Sequence, residues 1–203
     1  MITLPDPNRR RLVALAALAL AAPLTSRAAA SLRVEGQTFA GDIVLAGEPL
    51  QLNGVGVRAV AWLKGYAAAL YLAQRARSAP QVLAAPGAKR LQMRMLLDVD
   101  NEEFVKAFHK GIERNNPPAR VAELAERMAR FDALLRAIGR VKKRDVIDLD
   151  WLPDRGLQLA LNGQRRGEPI PGDDLYAALL GIFIGEHPVD ARLKTGLLGG
   201  PPA

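Results

Sequence analysis

The change in hydrophobic period near Asp100 is the feature that most restricts the fold. Between residues 32 and 96, several stretches alternate apolar and polar residues, which is typical of strands with one buried face. From Asp100 to Leu135 the apolar residues recur every three or four positions, as on amphipathic helices. Strand patterns return over 145–161 and helical ones follow up to residue 197. Runs of strands followed by runs of helices predict an α+β fold and not a doubly wound parallel sheet.

The part of the chain between residues 32 and 96 is predicted to be an antiparallel meander. A hairpin around Ala40-Gly41 is expected from the first two strand patterns, and Gly54, Gly56 and Gly65 are expected to separate the next three. In the last strand, Leu91, Met93 and Met95 should point inward. The expected strands span residues 32–39, 42–46, 50–52, 57–63, 66–72 and 90–96.

Two helices and a second group of strands are predicted after Asp100. Asp100 and Glu103 fit a capping box, and the helix that they begin should end at Asn115, before two prolines. Its apolar face includes Phe104, Ala107, Phe108 and Ile112. A second helix runs from residue 119 to 135 with a stripe of Leu124, Met128, Phe131 and Leu135. Strands at 145–152 and 157–161 follow, with a hairpin turn at Asn162-Gly163, and then helices at 173–183 and 189–197.

The first thirty residues read as an export signal. Three arginines, Arg9 to Arg11, precede an apolar run from Leu12 to Ala22, and small residues up to Ala30 supply a cleavage site. That run of 11 residues is shorter than the roughly 20 needed to cross a bilayer as a helix. We therefore expect a signal peptide over 1–30 and one domain over 31–203, periplasmic or secreted after cleavage near Ala30. Both the general secretory and the twin-arginine routes fit.

Composition argues against several function classes. Without residues 1–30 the chain has 24 basic and 20 acidic residues, a net charge of +4, and it has no cysteine. The basic cluster Arg140–Arg144 contains no aromatic residue, which argues against nucleic acid and favours a solvated loop, with contact to an anionic membrane surface as an alternative. The two histidines lie far apart: His109 should face solvent and His187 should lie in a loop. No metal site, cofactor or nucleophile motif is predicted.

The segment Gly54-Val55-Gly56-Val57-Arg58 combines glycines with a cation in an apolar, strand-like run. It satisfies a relaxed dinucleotide-binding fingerprint, but a strand pattern follows where a helix N-terminus is required. The glycines are better explained by a sharp turn or a close backbone approach. Arg58 stays charged, so within an apolar cavity it would need an anionic acceptor, such as the carboxylate or phenolate of a ligand. A strand-edge arginine in solvent is the alternative.

Four segments are informative in combination, namely Leu52–Arg58, Trp62–Leu72, Ile184–His187 and Leu197–Gly199. Together they resemble the chalcone isomerase-like proteins, specifically their exported bacterial branch. The resemblance extends from about Leu32 to Gly199 and implies an open-faced β-sandwich, in which a curved antiparallel sheet carries a layer of helices on one face, with a cleft between them.

The resemblance also implies a set of site residues. Arg58 matches the arginine that contacts the reacting phenolate in the plant enzymes. Tyr66 stands at the position of a catalytic threonine, Phe108 and Asn115 at those of a tyrosine and an asparagine, and Ile182 at that of a serine or threonine. The hydroxyls lost at Phe108 and Ile182 would remove hydrogen bonds that stabilise developing charge. In the family's fatty-acid-binding branch an arginine and a tyrosine hold the carboxylate, which Arg58 and Tyr66 resemble.

These observations favour a protein that binds a fatty acid or similar amphipathic carboxylate and has no catalytic residues. Its partner would be a small amphipathic ligand, fatty acid or polyphenol-like, with membrane contact but no membrane span. An intramolecular lyase that cyclises a chalcone-like ketone is one alternative, because tethered reacting groups need mainly positioning. A structural envelope module without a ligand is another. No sequence pattern indicates an oligomeric state.

Overall fold

The computed structural model describes residues 30–60 and 63–201. The signal peptide and Trp62 of the family segment therefore lie outside the described residues, except for Ala30. The strands are β1 (Leu32–Val34), β2 (Gln37–Phe39), β3 (Asp42–Leu45), β4 (Glu48–Val60), β5 (Leu63–Leu72), β6 (Lys89–Met95), β7 (Val146–Leu152), β8 (Gly156–Leu161) and β9 (Gln164–Ile170). The helices are α1 (Ala79–Ala84), α2 (Asn101–Asn115), α3 (Pro118–Ala137), α4 (Asp173–Ile184) and α5 (Ala191–Leu197).

Strands β3 to β9 form one antiparallel sheet in chain order, and β1 and β2 form a separate hairpin. The predicted α+β meander is thus confirmed. Helices pack on one face of the curved sheet, where alternate strand residues such as Leu70, Leu91 and Met95 are fully buried against α2, α3 and α4. The curved sheet with helices on one face is the open-faced β-sandwich that the family resemblance implies.

The opposite face of the sheet is covered in part by the β1–β2 hairpin, which packs apolar residues against β4 and β5. Farther along, β6 and β7 bury polar side chains there. Arg90 donates to both carboxylate oxygens of Asp150 at 2.6 and 2.7 Å, and Gln92 donates to Asp148 at 2.8 Å. Burial raises the pKa of Asp150, and the bonds from Arg90 oppose that shift. This face therefore satisfies its polar groups internally.

The prediction of a hairpin turn around Ala40-Gly41 is wrong. The chain turns instead at Glu35-Gly36, between β1 and β2, and at Ala46-Gly47, between β3 and β4. All four of these turn residues have positive φ, which matches the right-handed twist of paired strands. Ala40-Gly41 is where the chain passes from the small sheet to the large one, and the Gly41 carbonyl accepts a bond from Leu52 N at 2.8 Å.

Strand β4 runs without a break through Gly54 and Gly56, so the expected separation of short strands at these glycines is wrong. Helix α5 lies directly on them. A Cβ on Gly54 would lie 2.1 Å from the carbonyl oxygen of Gly196, and one on Gly56 would lie 2.8 Å from that of Leu193. The alternative reading of the glycines, a close backbone approach, is confirmed.

Helices α2 to α5 begin and end close to the predicted residues, α1 is not among the predicted helices, and the predicted capping box is wrong. Asp100 occupies the N-cap of α2 without a side-chain bond to the helix. Its carboxylate lies 3.6 Å from Arg140, and Glu103 pairs with Lys106 at 2.9 Å. Asp100 and Glu103 thus form ion pairs with neighbouring basic side chains instead of bonding to the backbone amides at the start of α2. Within the described residues, no helix is both long and apolar enough to span a bilayer.

Candidate ligand-binding site

A cavity of about 310 Å³ lies between the helix-facing side of the sheet and helices α2, α3 and α4. Its volume falls at the lower end of the range of about 300–1,000 Å³ that is common for ligand pockets. Most of its wall is apolar, because it occupies the middle of the main core. The apolar lining includes Met93, Met95, Phe104, Phe108, Phe131, Leu135, Ile147, Leu149, Leu179, Ile182 and Phe183.

Arg58 and Tyr66 supply polar groups at one side of this cavity. They stand directly opposite each other on β4 and β5, so their side chains leave the same face of the sheet about 5 Å apart. The neighbouring Val55 and Val57 point to the other face of the sheet, into the apolar cluster that the β1–β2 hairpin covers. Within residues 30–60 and 63–201, the Arg58 guanidinium has no hydrogen bond and no ion pair. Its donors therefore remain available to a ligand.

A bulge fixes the end of β4 beside this pair. Arg58 faces Tyr66, but the next residue, Ala59, faces Lys64, so Gly65 is the extra residue on β5. One carboxylate oxygen of Asp190 accepts a bond from Ala59 N at 3.2 Å. Its other oxygen accepts the first free amides of α5, at 2.8 and 3.0 Å. Asp190 thus joins the Arg58 strand to α5.

Burial raises the pKa of the Tyr66 phenol. The positive charge of Arg58 opposes this shift, and the negative charge of Asp190 adds to it. The phenol is therefore protonated at neutral pH and can donate a hydrogen bond. Together, Arg58 and Tyr66 offer charged and neutral donors to one end of an acidic ligand.

Phe108 and Ile182 lie in the apolar part of the cavity wall. Phe108 packs edge-on against Phe131, with ring centroids 4.9 Å apart. Ile182 lies so close to α2 that a Cβ on Gly111 would be 2.7 Å from its Cγ2. Neither side chain can donate or accept a hydrogen bond, so this part of the wall contributes shape and apolar surface.

Asn115 does not join the other predicted site residues. It lies on a separate open groove at the C-terminal end of α2. Its amide nitrogen donates to the carbonyls of Gly111 and His187, and its oxygen accepts from His187 N, each at 3.0 Å. At the end of a helix, this side chain holds the loop that follows α4. His187 lies in that loop, as predicted.

The sequence predicted that His109 faces solvent without a partner, but the structure pairs it with an aspartate. Its Nε2 lies 2.7 Å from a carboxylate oxygen of Asp132, and its side chain is 38% exposed. The pairing occurs because α2 and α3 pack side by side, which the pattern of α2 alone does not reveal. Among the described residues, no group of three or more His, Asp or Glu side chains is placed to hold a metal ion.

Several residues of the site are missing from the sequence prediction. Leu63 and Glu103 line the cavity, and Asp190 positions its cationic wall. An aspartate before a short helix is a signal for an N-cap, and that signal precedes α5. It does not reveal the bond to Ala59.

A sequence profile described as chalcone isomerase-like matches residues 31–199. The chain belongs to the chalcone isomerase-like family. Its fold is similar to that of the Arabidopsis thaliana fatty-acid-binding protein AtFAP1, with a TM-score of 0.63 and 17% sequence identity. The match covers 83% of this chain and 96% of that one. At this identity the likeness shows a shared fold, in agreement with the family assignment. No curated protein matches the chain.

Proposed function

We propose that this protein binds a fatty acid or a similar amphipathic carboxylate in the cavity under α2 and α4, without catalysing a reaction. The observation that carries the proposal is that Arg58 and Tyr66 lie next to each other at one side of an otherwise apolar cavity. A cation that meets no acceptor in the described protein favours an anionic ligand. A carboxylate suits it, because guanidinium and carboxylate can form two parallel hydrogen bonds.

The apolar wall accounts for the rest of such a ligand. Methionine, leucine and phenylalanine side chains from the sheet and three helices surround the space. Each methylene group that moves from water into such a site contributes about 0.8 kcal/mol. Methionine is flexible enough to adapt to chains of different length. An alkyl chain therefore supplies most of the affinity, and the head group supplies orientation and selectivity.

The absence of hydroxyls at Phe108 and Ile182 supports a binding role over the lyase alternative. A cyclising enzyme would use donors there to orient a polyphenol and stabilise charge. The structural neighbour AtFAP1 is described as a fatty-acid-binding protein, which also supports binding. A cavity of about 310 Å³ gives no support to a ligand-free structural module.

We further propose that the protein acts in the periplasm or outside the cell, after cleavage near Ala30. The proposal depends on the arginines and the apolar run of residues 1–30. Determining the N-terminus of the protein purified from its own host would test it. An N-terminus at Met1 on the cell-associated protein would contradict export by cleavage.

The test of binding compares an acid with its neutral ester. Palmitic acid and methyl palmitate are titrated against the wild type, Arg58→Gln and the surface control Arg130→Gln. Bonds to a charged group contribute about 1.5–3 kcal/mol, so Arg58→Gln should weaken acid binding roughly 10- to 150-fold. Ester binding should change little. Arg130 is exposed, and its replacement should leave both affinities unchanged.

Two results would overturn the proposed function. If Arg58→Gln binds palmitic acid as tightly as the wild type does, the head group does not lie at Arg58. If incubation with a chalcone yields a flavanone at a rate that depends on Arg58, the lyase alternative is correct and the binding-only role is wrong.

A further inference from the structure

The cavity opens at the end of the sheet where β5 begins and β6 ends. Most of its lining residues are buried, but Leu63 at the start of β5 is 51% exposed, and Glu103 and Ala107 on α2 are also exposed. Leu63 thus places an apolar side chain about half in water at the mouth of an apolar cavity. The mouth therefore lies between the start of β5 and the first turns of α2.

A basic loop lies at the same end of the sheet. Lys142, Lys143 and Arg144 precede β7, and all three are exposed. The backbone holds the loop in place, because Arg144 N donates to the carbonyl of Met95 and Lys143 N donates to Asp98, each at 2.9 Å. In the part of the chain that the structure describes, none of the three side chains has an acidic partner.

The exposed leucine and the basic loop are close to each other. The Gly65 carbonyl, two residues after Leu63, accepts a bond from Leu96 N at 3.0 Å, which places the start of β5 beside the end of β6. The end of β6 in turn lies beside Arg144. Adjacent strands are about 4.8 Å apart, so the two strands that carry these features, β5 and β7, lie about 10 Å apart across the sheet.

The acidic residues near this edge already have partners. Each carboxylate lies near another cation or accepts a backbone amide, and among the described residues none of them forms an ion pair with the three cations of the loop. The pairs are Asp98–Arg140 at 3.8 Å, Asp100–Arg140 at 3.6 Å, Glu103–Lys106 at 2.9 Å, Glu35–Lys64 at 2.7 Å and Asp145 with the amide of Lys142 at 2.7 Å.

We propose that the docking edge, formed by Leu63, Lys142, Lys143 and Arg144, binds the surface of membranes that contain anionic lipids. The three cations meet the lipid head groups, and Leu63 enters the interface, so the mouth of the cavity faces the bilayer. This inference goes beyond the proposed function. Docking itself does not depend on the ligand being a carboxylate, although it would give an amphipathic ligand a path that avoids water.

The test measures how much of the full chain floats with lipid vesicles. One set contains phosphatidylcholine alone, and the other contains equal parts of phosphatidylcholine and phosphatidylglycerol. The wild type should bind only the anionic set, and less as salt is added. A basic residue near an anionic surface contributes about fivefold in affinity, so replacing Lys142, Lys143 and Arg144 with glutamine should weaken binding about 100-fold.

Matched variants separate docking from a general charge effect. Lys110, Arg130 and Arg155 are exposed cations away from the docking edge, and glutamine at all three makes the same change in net charge. That control triple variant should keep most of the vesicle binding. For the apolar contact, Leu63→Gln should weaken binding severalfold, whereas Leu83→Gln, at a 42% exposed leucine on α1, should not.

Two outcomes would overturn the proposal. One is a wild type that does not float with anionic vesicles, which would also be the result if the edge served a protein partner. The other is equal loss of binding in the two triple variants. Titration of palmitic acid without vesicles is a separate measurement, and the triple variant of Lys142, Lys143 and Arg144, which do not line the cavity, should retain wild-type affinity there. Failure of docking is therefore distinguishable from failure of ligand binding.

Discussion

Replacing Gly54 with alanine tests how β4 and α5 are joined beneath the cationic side of the cavity. The added Cβ would lie 2.1 Å from the carbonyl oxygen of Gly196, 2.7 Å from Gly199 N and 2.8 Å from the carbonyl oxygen of Leu197. Ordinary contacts begin near 3.4 Å, so the overlap exceeds 1 Å at its closest point. All three atoms belong to the backbone and cannot rotate away, so α5 must move.

The free-energy cost follows from that movement. Overpacking of a tight contact costs about 1–3 kcal/mol. Moving α5 also strains the bond from Asn53 Nδ2 to the Leu197 carbonyl, 2.7 Å long and worth about 1 kcal/mol. A loss of about 3 kcal/mol corresponds to a Tm lower by roughly 6–12 °C in a domain of this size. Thermal unfolding followed by circular dichroism measures it.

The control is Gly181→Ala in α4, where the nearest contact for the new Cβ is that of Asn115 at 3.7 Å. Alanine is favoured over glycine by about 1 kcal/mol inside a helix, so this variant should unfold at the same or a higher temperature. If Gly54→Ala matches the wild type in Tm, β4 and α5 are not in backbone contact, and the explanation of the glycine motif is refuted.

Three further outcomes are expected. Asn53→Ala should lower the free energy of unfolding by about 2–4 kcal/mol in urea, because the buried Leu197 carbonyl and Ala76 amide both lose their partner. Burial raises the pKa of Tyr71 to about 12, so only the unfolded phenol ionises between pH 10 and that value. Over this window stability should fall by about 1.4 kcal/mol per pH unit from this group, with no tyrosinate absorbance before unfolding. Ala107→Trp at the cavity mouth should weaken palmitic acid binding at least tenfold with an unchanged Tm, and unaltered binding would place the ligand elsewhere.

Local patterns in the sequence predict much of the fold. The Asn162-Gly163 turn has the two positive φ values that its residues favour, and the stripe from Leu124 to Leu135 is buried as expected. These features depend on residues close together in the chain. Where two neighbouring turn signals compete, as at Ala40-Gly41 and Ala46-Gly47, the pattern does not decide between them, because strand pairing determines which residues turn.

Contacts between distant parts of the chain are beyond such patterns. Gly54 looks like a strand break until α5 is placed on it, and Asp190 contacts Ala59 across 131 residues. For the site, the structure brings Arg58 and Tyr66 to one cavity with Phe108 and Ile182. Asn115 is the exception, because the amide at a helix end is used by the neighbouring loop.

Helices α2 and α3 leave the sheet after β6 and return to it at an adjacent position. Met95 N donates to the carbonyl of Asp145 at 2.9 Å, and Val99 pairs with Val141, so the excursion begins and ends at one point. Moving the two helices away together would break no hydrogen bond between β6 and β7, but it would break their contacts with α4, which include the ion pair between Arg127 and Asp174. Partial opening of this kind requires less free energy than unfolding the whole domain. Because such an opening leaves the sheet intact, we expect amide hydrogens of α2 and α3 to exchange with deuterium before those of β6.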